Sequence, residues 1–219
     1  MATVILADER RAVCEYARRL SADGLVVGTS GNISARSGDL IAVTPTGVDY
    51  GVLTPEDIPV VSLDGSIVDG TLRPTSEMPM HLSVYTKAAD PDGAPITGVV
   101  HTHSVHATAV STLVDEVPAV HYMLATVGPS VRVAGYATYG TEELAESMLA
   151  AMEGRRGCVL ANHGTITYGD GLAAAYSRAE QLEWLCEVWL LARSAGNPRL
   201  LPPEEIAHVV EKLRGYGQK

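Results

Sequence analysis

Between Gly28 and Gly70 the chain breaks into short β-rich pieces separated by Gly, Pro, Asp and Asn. Residues 32–36, 40–43, 59–62 and 66–68 are strand candidates, with hairpin-type turns at Ser37-Gly38-Asp39 and Asp64-Gly65. Parallel neighbours need crossovers of a dozen or more residues, so these short turns require substantial antiparallel pairing. After this stretch, strand candidates at 96–101, 119–122, 131–133 and 157–161 interleave with helical spacing. Helices are expected over 3–22 with Gly24 as the stop, over 77–88 with Ser76 as N-cap, and over 105–114. A further helix runs from a Thr141 cap to Met152, and two more cover 171–195 and 204–213. The 171–195 helix is apolar around much of its surface. That breadth fits either a central core helix or one that also meets another subunit. The pattern is that of an α/β or α+β fold, and without a repeat or linker residues 1–219 read as a single domain with a short polar tail at 215–219.

Bulk composition narrows the function. The 219 residues carry a formal charge of −10, which opposes broad nucleic-acid binding. The same charge repels anionic ligands at long range, so an anionic substrate would need strong local attraction. No apolar run reaches the length of a membrane span. Residues 1–11 have several charges and no signal-type apolar segment, so a cytoplasmic protein is expected. Cys14, Cys158 and Cys186, an odd count without paired short spacing, read as buried thiols.

His101-Thr-His103 follows the apolar run 96–100 directly. Side chains two apart on a strand share a face, so both imidazoles can reach one ion. His163 follows a second apolar run and is a third candidate, leaving open positions for substrate at a divalent metal. Each histidine taken alone is more often a satisfied core or loop residue, and the two-residue spacing is what raises the metal reading to an even alternative. Glu77, at a helix start, is either a carboxylate complementing the dipole or, near a metal, a ligand or general base. Three segments, Gly28-Thr29-Ser30-Gly31-Asn32, Thr44-Pro45-Thr46-Gly47 and Pro74-Thr75-Ser76-Glu77, offer neutral donors that can cradle a phosphate. Singly, each also reads as an ordinary turn or cap. Neither a P-loop nor a GxGxxG is present, so nucleotide binding has no support.

Together with Pro118-Ala-Val-His121-Tyr122-Met123, Asn162-His163-Gly164, Tyr139-Gly-Thr and the segment from Glu204-Glu-Ile to Tyr216-Gly, these motifs resemble the class II aldolase family nearly end to end. Within it the pattern is most similar to the branch that acts on L-fuculose 1-phosphate. The resemblance implies a three-layer α/β/α fold with a central, mainly antiparallel mixed sheet flanked by helices. It implies Zn2+, or Mn2+ or Co2+, on Glu77, His101, His103 and His163, and a substrate-phosphate pocket of Gly31, Asn32, Thr46, Gly47, Thr75 and Ser76. It further implies a C4 homotetramer in which Tyr122 reaches a neighbouring subunit's site, and a mobile tail whose Tyr216 helps to close it. Glu77, Tyr122 and Tyr216 would be the catalytic side chains. Two departures stand out. Leu213 replaces a phenylalanine on the aldehyde side, which leaves the second substrate open, and Thr75 replaces a serine while keeping the hydroxyl.

The implied reaction is reversible cleavage of a ketose 1-phosphate, such as L-fuculose 1-phosphate, to dihydroxyacetone phosphate and an aldehyde such as L-lactaldehyde. An aldolase for salvage of 5-deoxypentulose 1-phosphates would look nearly the same. Pentulose-phosphate 4-epimerases and methylthioribulose-1-phosphate dehydratases of this fold share the metal triad. A non-catalytic member of the fold should lack some of the four ligand residues, and all four are present.

Overall fold

A computed structural model describes residues 4–215. Helix α1 (Ala7–Ala22) leads into the meander β1 (Asn32–Ser37), β2 (Leu40–Val43), β3 (Val60–Ser62) and β4 (Ile67–Asp69). Next come α2 (Met78–Lys87), β5 (Gly98–Thr102), α3 (Val105–Ser111), β6 (Val133–Ala134) and α4 (Glu142–Met152). The chain continues through β7 (Gly157–Leu160), β8 (Gly164–Gly169), α5 (Leu172–Ala195) and α6 (Pro203–Arg214). The strands form one sheet in the order β4-β3-β2-β1-β5-β8-β7-β6. Only β6 and β7 run parallel; every other pair is antiparallel, as the short turns require.

Alternation along the strands divides the core into layers. Ile41, Val99, Cys158 and Leu160 pack with Met80 and Val84 of α2 and with Leu144 and Met148 of α4. Their neighbours Ala42 and Val100 face the other way, onto Val13 and Leu20 of α1 and Ala175 and Ala179 of α5. Val159 joins Leu182 and Leu185 of α5, Ala107 of α3 and Ile206 of α6. Helices therefore cover both faces, which gives the expected α/β/α architecture. One stripe of α5 is buried, while Trp184 (39% exposed) and Leu191 (64%) remain uncovered within the chain. All three cysteines are buried free thiols.

Three local expectations differ from what is observed. Residues 119–122 form no strand. Val117 still bonds to the Val131 carbonyl, but Pro118 has no N–H to extend the ladder, and a 3-10 turn over Tyr122–Thr126 follows. Ser76 does not cap α2; Glu77 occupies the N-cap position. Strand β8 is an element beyond those expected: its Thr165-Ile166-Thr167-Tyr168 alternation spans only four residues between two glycines, and all six of its residues are buried. Thr141 does cap α4, its hydroxyl accepting the Leu144 N–H at 3.2 Å.

Met148 is fully buried between α4 and the sheet. Met148→Ala should lower the unfolding free energy by about 2–5 kcal/mol, read from urea titrations, with metal content unchanged.

Candidate active site

Strand β5 delivers two imidazoles. His101 pairs with Asn32 of β1 on one side and Ile166 of β8 on the other, and His103 lies two residues beyond it. His163 sits in the tight turn between β7 and β8, closed by the Leu160–Gly164 pair. Asn162 takes the left-handed conformation there (φ 55°), which asparagine tolerates better than most residues. Gly164 lies directly on the backbone between the two histidines, where an added Cβ would come within 1.9 Å of the Thr102 carbonyl oxygen. Gly31 makes the matching approach from β1. Its φ is +71°, and a Cβ there would meet Val26 Cγ1 at 2.4 Å and the His101 carbonyl oxygen at 2.9 Å.

Glu77 enters from the start of α2, its N–H bonded to Thr75 Oγ1 at 3.2 Å. His101 Nε2 and His103 Nε2 are 3.0 Å apart, and His163 Nε2 is 3.1 Å from His103 Nε2. Glu77 Oε2 is 3.0 Å from His101 Nε2, and Oε1 is 3.3 Å from His163 Nε2. All four donor atoms lie within 4.8 Å of one another. The three rings meet edge to face, at 4.7–4.8 Å between centroids, so their Nε2 atoms converge. Donors held at about 2.0–2.1 Å by a tetrahedral ion lie about 3.3 Å apart, close to these spacings. Glu77 Oε1 is buried without a hydrogen-bond donor, which suits a cation at the centre. The residues therefore fit a divalent metal, with borderline imidazole donors and one carboxylate.

Electrostatics support the same reading. Burial works against the charge on Glu77, but the adjoining imidazoles of His101 and His163 outweigh it and hold the carboxyl well below its usual range. Burial likewise disfavours a charged His101, yet the Glu77 carboxylate beside it raises its pKa overall. Burial, with His101 and His163 nearby, pushes His103 down to about 3, so its ring is the neutral form that binds metals. His101 Nδ1 donates to the Thr165 carbonyl at 2.8 Å, which aims Nε2 at the cluster.

Glu77, His103 and His163 line a cleft of about 320 Å³, with His101 fully buried behind them. Gly31, Asn32, Thr46, Gly47, Thr75 and Ser76, the six residues expected around a phosphate, all line it. The two outer loops are zipped together: the Thr75 N–H bonds to the Thr44 carbonyl, and the Thr46 N–H to that of Arg73, each at 3.0 Å. Among the described residues no lysine or arginine lines the cleft, so its donors are neutral.

Tyr122 does not join them within its own chain. It is half exposed and stacked on His121, with centroids 4.4 Å apart. Leu213 lines a separate cavity beside Arg156 and Arg178, and Tyr216 lies outside the described residues. Asn162, named in the Asn162-His163-Gly164 motif, lines the cleft without an expected role, and Tyr136 and His81 enter the site or its support beyond the expected residues. The last had a sequence signal: it stands four residues after Glu77, on the same helix face.

The chain is similar to known proteins along nearly its whole length. The family profile of the class II aldolase and adducin N-terminal domain matches residues 11–190. A 5-deoxy-D-ribulose 1-phosphate aldolase of Bacillus thuringiensis serovar kurstaki is 38% identical, over 99% of this chain and 100% of its own. An L-fuculose phosphate aldolase of Escherichia coli is 37% identical over 94% of each chain. A solved L-fuculose 1-phosphate aldolase structure superposes with a TM-score of 0.89 at 38% identity, covering 98% of both chains.

Gly164→Ala should force the β7–β8 turn off the His101–His103 backbone. Metal affinity, measured by chelator competition, should fall about 10–100-fold, the usual effect of misorienting a ligand shell.

Proposed function

Because the chain belongs to the class II aldolase family, we propose that it reversibly cleaves a ketose 1-phosphate to dihydroxyacetone phosphate and an aldehyde. The observation that carries this reading is the convergence of Glu77 and three imidazoles beneath a cleft of neutral phosphate-type donors. L-Fuculose 1-phosphate, releasing L-lactaldehyde, is the first candidate substrate. The full-length similarity to a 5-deoxy-D-ribulose 1-phosphate aldolase favours a second, releasing acetaldehyde.

Glu77, His101, His103 and His163 hold one Zn2+ per subunit, and Mn2+ or Co2+ suits the same donors. When bound, the ion supplies Lewis-acid stabilisation of the negative charge that develops as C3–C4 breaks, since three neutral imidazoles leave its own charge uncancelled. Asn32, Thr46, Gly47, Thr75 and Ser76 bind the substrate phosphate beside Gly31. They fix C3 near Glu77, which takes up and returns the proton there. Tyr122, from a neighbouring subunit of a C4 homotetramer, exchanges the proton on the C4 oxygen, and Tyr216 helps to exclude water. Residues 1–219 work as one class II aldolase-type domain in the cytoplasm. No helix among the described residues is long and apolar enough to cross a membrane.

The deciding experiment is a coupled assay for dihydroxyacetone phosphate over a panel of ketose 1-phosphates, with and without chelator. Release of dihydroxyacetone phosphate that chelation abolishes is expected. Epimerised pentulose phosphate or a dehydrated product would instead select the 4-epimerase or dehydratase chemistry of the same fold. Glu77→Gln should keep its metal and lose exchange of the dihydroxyacetone phosphate proton with solvent by at least about 100-fold, and unchanged exchange would remove Glu77 from the base role.

A further inference from the structure

Behind Glu77 runs a buried chain of hydrogen bonds that the reaction described above does not use. Asn32 Nδ2 is 2.9 Å from Glu77 Oε2, and Asn32 Oδ1 is 2.6 Å from His81 Nε2. His81 Nδ1 is 2.7 Å from Ser34 Oγ, which in turn lies 2.8 Å from the Tyr85 hydroxyl. His81 and Ser34 are fully buried, and Asn32, Glu77 and Tyr85 nearly so.

Donor and acceptor chemistry gives this chain a single direction. The ionised Glu77 carboxylate only accepts, so the nitrogen of the Asn32 amide must face it. The amide oxygen therefore faces His81, and because it too only accepts, His81 Nε2 must carry the hydrogen. Burial pushes the His81 pKa down to about 3, so the ring is neutral and has one N–H to give. Nδ1 is then an acceptor for the Ser34 hydroxyl, while the Tyr85 hydroxyl beside it donates to the Ser34 carbonyl at 3.0 Å. From Ser34 through His81 to Asn32, each donor points toward Glu77.

We propose that His81 is a positioning residue that locks the Asn32 amide with both N–H groups toward Glu77 and the cleft and its carbonyl turned away. Asn32 lines the cleft, so its second N–H is the one left for an anionic group. A phosphate arriving there meets a donor; in the opposite amide orientation it would meet a carbonyl oxygen, and Glu77 would face that oxygen as well. One imidazole thereby sets the polarity of the phosphate pocket and anchors the base. This rests on the aldolase reading for the base role, whereas the amide orientation and phosphate binding do not depend on it.

The test uses the full-length, metal-loaded protein with 15N-labelled histidine, alongside His81→Leu and His81→Gln. Glutamine can place an amide N–H where Nε2 stands; leucine cannot. The expected ring spectrum shows His81 as the neutral Nε2–H tautomer. His81→Leu should keep its metal but bind inorganic phosphate about tenfold more weakly and exchange the dihydroxyacetone phosphate proton more slowly by a similar factor, the scale of one charge-assisted hydrogen bond. His81→Gln should recover both to within about threefold of wild type. An Nδ1–H or charged ring in the wild type overturns the proposal. So does wild-type phosphate affinity in His81→Leu, or equal loss in both variants with metal retained. Should a variant fail to fold, the wild-type ring spectrum still decides. A wild type that binds phosphate with the expected tautomer, yet exchanges no proton, would sink the aldolase reading while leaving the amide lock in place.

Discussion

Backbone hydrogen bonding between β5 and its two antiparallel neighbours sets Asn32 and Ile166 beside His101, and a slip of one residue would turn His101 away from Glu77. The pairing is pinned from both sides by close approach. Gly31 and Gly164 let the flanking backbones lie against the His101–His103 segment more closely than any side chain would allow. The helix that supplies Glu77 and His81 rests on the same face of the sheet as His101, through Met80 and Val84. Ligand geometry is thus a product of core packing, with rigid elements holding each donor.

Charge is distributed to suit this arrangement. A chain of net charge −10 repels a phosphate dianion at a distance, and the cleft offers hydroxyls and amides with no cationic side chain among its described lining. Attraction must therefore be local and short in range. Three neutral imidazoles and one carboxylate would leave a divalent ion with net positive charge at the bottom of the cleft, whereas additional carboxylates would cancel it. In the proposed reaction the neutral donors would then select for shape and orientation while the ion would carry the electrostatic work.

Much of this was legible in the residues themselves. The turns at Gly38 and Asp64-Gly65 required antiparallel neighbours, and His101-Thr-His103 on a strand end required a shared face. The donor loops around Asn32, Thr46 and Thr75 do line one cleft with the four ligand candidates. What escaped depended on tertiary context. Strand β8 offers only a four-residue alternation between two glycines, and Pro118 outweighed the β-favouring residues that follow it. The link from His81 to Asn32 exists only once α2 is laid across β1, a register that spacing within either element does not contain. Tyr122 belongs, in the proposed assembly, to a site that its own chain does not form.

The placement of the three thiols has a consequence for durability. Cys14, Cys158 and Cys186 are buried among apolar side chains, where desolvation raises the pKa of each and disfavours the reactive thiolate. None belongs to the His/Glu ligand cluster. Peroxide and disulfide-forming reagents attack thiolates, and here they find no sulfur among the groups that would hold the metal. An oxidising episode that silences cysteine-ligated metalloenzymes would leave this ligand set chemically intact, so recovery would require only that the ion still be present.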